Sequence, residues 1–317
     1  MRIVVPDDFP SVFAGSAAEA RLRKLGDVAV FSERGADRED ELARRVGDAD
    51  VVLTLRAHAR FTARVLDAAP RLRLISIWGT GFEHVDLAAA HARGITVTHT
   101  PGVNAHAVAE HTVALILAVL RRIPHMDATM RAGNWPRERL TQLEGKTLGI
   151  VGLGAIGQRV AALAKPFGVR LLAWTRTNGD PRAAAAGAQW TPIEMLLGES
   201  DVVSLHLRLA PETTNFLSTT RLAMMKRSAI LINTARAALV ERSALLVALR
   251  DGQIAGAGLD VFHTEPIPAS DPLLALPNVV VTPHNAGTTT EAVEDGLRRA
   301  VANVASFLSG LPRDVVP

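Results

Sequence analysis

The feature that most constrains the fold of this chain is a regular alternation of short β-branched runs with helical stretches, the pattern of parallel strands joined by covering helices. The runs fall into two series. The first holds Ile3-Val4-Val5, Val28-Ala29-Val30, Val51-Val52-Leu53, Leu72 to Ile75 and Ile95-Thr96-Val97. The second holds Leu148 to Val151, Leu171 to Trp174, Val202 to Leu205, Ile230-Leu231-Ile232, Gly256 to Asp260 and Val279-Val280-Val281. The six strands of this second series are enough for a complete doubly wound sheet. Between the series, Val108 to Arg121 is apolar on nearly every face and predicts a helix buried between layers. Near the end, Val293, Leu297, Ala300, Val304 and Leu308 recur at helical spacing, so Thr289 to Ser309 predicts an amphipathic helix that returns to the first series. A length of 317 residues suits two such units.

Composition narrows the chemistry. The chain has no cysteine and no tyrosine, which excludes disulfides, thiol nucleophiles, cysteine-ligated metals and phenolic acid–base groups. The sequence pI is 9.9, yet the formal net charge is only +3 and the basic residues are interspersed with acidic ones. That pattern argues against a nucleic-acid surface. Asp7-Asp8 interrupts the N-terminal apolar stretch before it could act as a signal segment, and the run Val113 to Leu120 is too short to span a bilayer. The expectation is a cytoplasmic protein that binds neither nucleic acid nor membrane.

The strand Thr147 to Val151 leads directly into Gly152-Leu153-Gly154-Ala155-Ile156-Gly157 and then into a helical stretch. In this order the three glycines serve a tight turn, the approach of backbone to a pyrophosphate, and close helix-to-strand packing, with the anion at the helix N-terminus. The next strand closes on Thr175-Arg176-Thr177 with no carboxylate for a ribose 2′-hydroxyl. An arginine flanked by hydroxyls suits a 2′-phosphate, so the expected cofactor is NADP(H), with NAD(H) as a second possibility. Three further groups stand just past strand ends: Arg236 in Asn233-Thr234-Ala235-Arg236, Glu265 in His263-Thr264-Glu265-Pro266, and His284 in Thr282-Pro283-His284. Strand carboxyl ends are where open α/β sheets bind ligands. Together with the glycine loop they form a coherent hydride-transfer site, in which His284 can exchange a proton, a carboxylate such as Glu265 can orient the imidazole, and a fork such as Arg236 can grip oxygens of a substrate.

Taken together, Trp78-Gly79-Thr80-Gly81 with Val85-Asp86, Thr100 to Asn104 with Ala107 to His111, the Gly152 to Gly157 loop, Asn233 to Arg236, Gly258 to Phe262 with Glu265-Pro266, and Pro283-His284 make the chain similar to the D-isomer-specific 2-hydroxyacid dehydrogenases, in the glyoxylate/hydroxypyruvate reductase-like branch. The resemblance implies two Rossmann-like α/β domains with parallel sheets. One is a discontinuous, flavodoxin-like substrate domain over residues 1–99 and 288–317, and the other a doubly wound dinucleotide-binding domain over 100–287. It implies a homodimer, and catalysis by Arg236, Glu265 and His284. Cofactor contacts are implied for Gly152, Gly154, Ala155, Ile156, Gly157, Thr175, Arg176, Thr177, His206, Thr234, Ala235, Asp260 and Gly287, Asp260 standing where the family binds the nicotinamide carboxamide. Substrate contacts are implied for Leu55, Gly79, Thr80, Gly81, Arg236 and His284, with Arg56, Trp78 and Phe82 near the groups that select the substrate.

Several positions depart from the family pattern. Ala237-Ala238 replaces a glycine pair, so a positive φ there would be strained. Arg208 replaces a common proline, and His263 replaces a common acidic residue. The scattered histidines, with no HExxH, do not form a metal-site pattern, and no metal is expected. The expected reaction is hydride transfer between a nicotinamide and C2 of a small 2-oxo or 2-hydroxy acid. The alternatives are an NAD-dependent 3-phosphoglycerate-type dehydrogenase, which the end of the chain at Pro317 without a regulatory domain disfavours, and a phosphite dehydrogenase. Glu265 disfavours a formate dehydrogenase, where glutamine is usual, and the lack of disordered tails disfavours a corepressor-like binding module.

Overall fold

The computed structural model describes residues 1–55 and 57–316. It resolves into two compact units, Met1–Asn104 with Thr288–Pro317, and Ala105–Gly287. Arg56, named above among the groups near substrate selection, lies outside the described residues.

The first unit begins β1 (Arg2–Val5), α1 (Ala17–Leu22), β2 (Asp27–Val30), α2 (Glu39–Val46) and β3 (Val51–Thr54), and continues with α3 (Ala63–Asp67), β4 (Leu74–Ile77), α4 (Leu87–Ala92) and β5 (Thr96–Thr98). All the strand pairs are parallel, in the order β2-β1-β3-β4-β5, so the sheet reverses its winding between β1 and β3. Alternation along the strands sorts the core into two layers. Ile3, Val5, Val51, Leu53 and Leu74 pack with Leu22, Leu297, Ala300 and Val304, while Val4, Val52, Ile75 and Val97 pack with Leu42, Val46, Val65 and Leu66. The loops beyond β1 and β2 are tied by Arg45, buried on α2, whose guanidinium donates to the carbonyls of Pro6, Glu33 and Arg34.

In the second unit come α5 (Ala105–Leu120), α6 (Ile123–Arg131), β6 (Thr147–Val151), α7 (Ala155–Ala164), β7 (Arg170–Trp174), α8 (Pro181–Ala185), β8 (Gln189–Trp190) and α9 (Ile193–Glu199). They are followed by β9 (Val202–Leu205), α10 (Thr219–Leu222), β10 (Ile230–Asn233), α11 (Arg242–Arg250), β11 (Gly256–Leu259) and β12 (Val279–Val281). The strands pair in parallel in the order β12-β11-β10-β9-β6-β7-β8, with the switch of winding between β6 and β9. This sheet has one strand beyond the expected six. β8 is a two-residue edge strand, too short to carry a period, bonded to β7 through Leu172 and Ala173. Helix α5 buries residues such as Ala109, Thr112, Leu115 and Ile116 against α7 and the sheet and exposes only a narrow stripe at His106, Glu110 and Ala114.

The chain then returns to the first unit as α12 (Thr290–Leu308), capped by the Thr289 hydroxyl on the Ala292 amide. Its apolar stripe, Leu297, Ala300, Val301 and Val304, completes the first unit's core. Polar ties fix its register: Ser76 Oγ donates to the Ala300 carbonyl, the buried Asn303 amide donates to His99 O, and Arg299 pairs with Asp314 and donates to Pro101 O. Trp78 lies so close to Gly296 that a Cβ there would sit 2.1 Å from its Nε1, which fixes the residue leading into Gly79-Thr80-Gly81. No helix among the described residues is long and apolar enough to cross a membrane.

Candidate active site

At the switch point of the second unit, β6 ends in a turn that only glycine can make. Gly152 has φ +101 and its amide donates to Trp174 O, while a Cβ on Gly157 would fall 2.1 Å from the Gly152 carbonyl oxygen. Gly154 caps α7, and a Cβ on it would meet no atom of the chain within 4 Å. The loop is thus closed tightly on itself yet open at its middle glycine, in front of a helix N-terminus followed by Ala155 and Ile156. Such a cradle fits a dinucleotide pyrophosphate.

Past β7, the buried Thr175 donates its hydroxyl to the Thr177 carbonyl, and the exposed Arg176 is paired with Glu212 at 2.9 Å. Arg182 was missed in reading the sequence. It grips Asp180 and donates to Leu153 O at 3.3 Å, linking α8 to the glycine loop, and its side chain and amide hold the Asp180 carboxyl down at about 2. The visible signal was Asp180-Pro181-Arg182, an N-cap followed by a proline that opens a helix. On the other side of the switch point, His206 follows β9. Its Nε2 meets Ser204 Oγ at 2.9 Å, its Nδ1 is buried without a hydrogen-bond partner among the described residues, and burial pushes its pKa down to about 3, so the ring is neutral. Arg208, two residues on, accepts the Thr213 hydroxyl on its carbonyl.

Beyond the ends of β10, β11 and β12 stand Arg236, Glu265 and His284. The Asn233 side chain accepts from the Ala235 amide and donates to Arg236 O, bending the chain out of β10, and Arg236 turns a nitrogen back to Ala235 O at 2.8 Å. Ala237 and Ala238 then enter a single tight turn without a positive φ, so the strain considered for an alanine pair does not arise. Thr234 is buried, its hydroxyl 2.9 Å from that of Thr112 on α5.

Glu265 and His284 form a bonded pair, with Nδ1 of the imidazole 2.7 Å from one carboxylate oxygen while the Phe262 amide donates to the other at 2.9 Å. Partial burial opposes ionisation of Glu265, but the bonds from His284 and Phe262 and the charge of Arg236 outweigh it and hold the carboxyl below its ordinary range. The interaction is therefore fully present above the usual carboxylate range and is lost as pH falls through the lowered value. His284 itself has φ +51, in the left-handed region. Asp260 holds it there. Buried at the end of β11, its carboxylate accepts from the Asn285 and Ala286 amides and from Thr282 Oγ1, which also meets His111 Nε2 at 2.9 Å. His263 is exposed, near the Arg242–Asp271 pair, and is disfavoured as a cation by desolvation first and by the charge of Arg242 second. Among the described residues no group of three or more His, Asp or Glu could hold a metal.

In the first unit Leu55 is buried just past β3, and the Gly79 amide, at φ +135, donates to Thr100 Oγ1 at 2.7 Å. Thr80 O meets His99 Nδ1 at 2.9 Å, and Phe82 meets the His99 ring edge-on. Gly81 is half-buried and Gly287 closes the second unit.

Residues 113–286 match the model of the D-isomer specific 2-hydroxyacid dehydrogenase NAD binding domain. The chain belongs to this family. It is 42% identical over 297 residues to a glyoxylate reductase of Thermofilum pendens, covering 91% of this chain and 87% of that protein. It is 41% identical over 307 residues to a D-3-phosphoglycerate dehydrogenase of Mycobacterium leprae, covering 96% of this chain and 58% of that one. Among solved structures, the TT0316 protein of Thermus thermophilus superposes with a TM-score of 0.91 at 42% identity, each chain being covered fully. This D-2-hydroxyacid dehydrogenase is accordingly a nicotinamide-dependent oxidoreductase acting on the CH–OH group.

The bonded pair yields a pH test. The ionised carboxylate holds the imidazole by its far nitrogen, and protonation of Glu265 as pH falls through its lowered value releases the ring. In Glu265→Gln the acid limb of the reductive pH–rate profile that follows this carboxylate should therefore disappear and kcat fall about tenfold or more, with the dissociation constant of the nicotinamide cofactor little changed. An unmoved limb would show that the pair does not set the proton donor.

Proposed function

We propose that the protein reduces glyoxylate, hydroxypyruvate or a similarly small 2-oxo acid, with NADPH favoured and NADH accepted. The observation that carries the chemistry is the Glu265–His284 pair at 2.7 Å beyond neighbouring strand ends, with Arg236 beyond the next. When bound, the cofactor supplies the hydride. His284, oriented through Nδ1, presents Nε2 as the proton donor to the developing alkoxide, and Arg236 holds the substrate's carboxylate and carbonyl oxygens. Leu55, Gly79, Thr80 and Gly81 are assigned to the same substrate. The pyrophosphate is assigned to Gly152, Gly154, Ala155, Ile156 and Gly157, and the rest of the cofactor to Thr175, Thr177, His206, Thr234, Ala235, Asp260 and Gly287.

The cofactor preference is supported by Arg176, 72% exposed in its side chain and paired with Glu212, itself 55% exposed, in a stretch without a carboxylate from Trp174 to Thr177. A 2′-phosphate would replace Glu212 as the partner of a planar fork suited to it. The reading also includes residues 1–99 and 288–317 as substrate domain, 100–287 as cofactor domain, a cytoplasmic location and a homodimer. The dimer is supported by α6, which buries none of its residues, and by Ile123, Met130, Trp135 and Leu140, exposed along α6 and the segment after it.

Steady-state assays with glyoxylate, hydroxypyruvate and 3-phosphohydroxypyruvate, each with both cofactors, test the reading. Glyoxylate or hydroxypyruvate should give the highest kcat/KM, at least about tenfold better with NADPH than with NADH, and Arg176→Ala should bring that ratio near one. A preference for NADH, or for the phosphorylated acid, would overturn the corresponding part. The phosphorylated acid is included because of the likeness to the mycobacterial phosphoglycerate dehydrogenase.

A further inference from the structure

Two consecutive aspartates follow β1, and the structure treats them in opposite ways. Asp8 is fully buried and saturated: its carboxylate accepts the amides of Val12, Phe13 and Ala14 and the hydroxyl of Ser11, so it shapes the loop. Asp7 is 1% exposed, and among the described residues neither of its carboxylate oxygens has a hydrogen-bond partner. Its ion-pair contact is His58, whose Nε2 lies 2.6 Å from Oδ2 in poor alignment and whose side chain is 51% exposed. Buried carboxylates are ordinarily saturated with donors, because withdrawing the charge from water is costly. Among the described residues the Asp7 carboxylate serves no cap, turn or strand bond, and the contact with His58 is what its burial supports.

Its position supplies a reason. β1 and β3 pair in register at Ile3 with Val51 and Val4 with Val52, and carrying that register three residues further puts Asp7 level with Leu55. Adjacent strands lie about 4.8 Å apart. The point between β1 and β3 is also where this sheet reverses its winding, the place at which open α/β sheets receive ligands. On the other side of Leu55, the Trp78 amide bonds to Thr54 O at 2.9 Å, at the start of the Gly79-Thr80-Gly81 turn. The unsaturated carboxylate thus neighbours, within one unit, the residues assigned above to the substrate.

We propose that Asp7, with His58 as its displaceable partner, is a subsite for the cationic end of a substrate side chain, an ammonium or guanidinium group carried on a 2-oxo acid. The inference rests on the assignment of Leu55 to the substrate. His58 swings toward solvent, the incoming cation donates to both oxygens of Asp7, and a charge-assisted bond replaces a misaligned one. Side chains ending in a carboxylate meet a buried like charge and are rejected.

The test compares the 2-oxo acid of arginine, the neutral 2-oxohexanoate and the anionic 2-oxoglutarate with NADPH, alongside glyoxylate. The wild type should prefer the guanidino acid over 2-oxohexanoate by about tenfold or more, mainly through KM, and should use 2-oxoglutarate worst. Asp7→Asn, isosteric but uncharged, should bring the guanidino-to-neutral ratio to about one, whereas His58→Ala should keep or raise it. A wild-type ratio near one with glyoxylate still reduced would overturn the subsite alone. If no 2-oxo acid is reduced, the functional reading fails and the subsite is judged by melting temperature. The guanidino acid must then stabilise the wild type and not Asp7→Asn, and absence of that difference overturns it.

Discussion

His284→Asn should lower kcat for reduction of a 2-oxo acid by roughly 10²- to 10⁴-fold, while the dissociation constant for NADPH stays within about twofold. Asparagine keeps a polar side chain of similar reach but cannot release a proton, so the loss falls on the chemical step. The backbone that carries residue 284 is held independently of its side chain, because Asp260 accepts the two amides that follow it. Asparagine is also among the residues that tolerate a left-handed φ such as the +51 found here. The substitution therefore tests the imidazole rather than the fold. Stopped-flow measurement of a single turnover separates hydride transfer from product release, and near-wild-type single-turnover rates would remove His284 from the role of proton donor.

Two glycines in one loop should respond to the same substitution in different ways. Gly157→Ala places a methyl group 2.1 Å from the Gly152 carbonyl oxygen, a contact that only movement of α7 or of the loop can relieve. We expect a loss of about 1–3 kcal/mol in stability, as for other overpacked sites, together with a fall of about 100-fold or more in affinity for either nicotinamide dinucleotide. Gly154→Ala points its methyl group into open space, so its melting temperature should match the wild type while cofactor affinity still falls. Denaturation curves and cofactor fluorescence titrations on both variants check the pair. Wild-type cofactor affinity in both would mean that this loop does not hold the pyrophosphate.

The parts of the molecule readable from sequence were those whose physics is local. A glycine loop between a strand and a helix, apolar runs of strand length, and polar residues immediately after them carry their meaning within a few positions, so both sheets and the placement of Arg236, Glu265 and His284 beyond strand ends could be read in advance. β8 escaped because Gln189-Trp190 is too short to show alternation. The Arg182 link to Leu153 and the His58–Asp7 pair escaped because each joins residues 29 and 51 positions apart, and which partner a side chain selects depends on burial that no local pattern reports. The alanine pair after Arg236 shows the reverse. A departure from a familiar glycine pattern suggested strain, whereas the Asn233 side chain bends the backbone without requiring a positive φ.

The return of α12 to the first sheet bears on the order in which the protein takes shape during synthesis. The second unit has all its strands once residue 281 has emerged from the ribosome, and its core draws on no later segment. The first unit is made earlier but cannot finish. One face of its sheet waits for Leu297, Ala300, Val301 and Val304, and until α12 arrives Ile3, Val5, Leu53 and Leu74 lack that cover. Domains commonly fold as units in the order of their synthesis. Here the inner unit can complete its core before the outer one, whose earliest strands keep one face partly uncovered until α12 has been made.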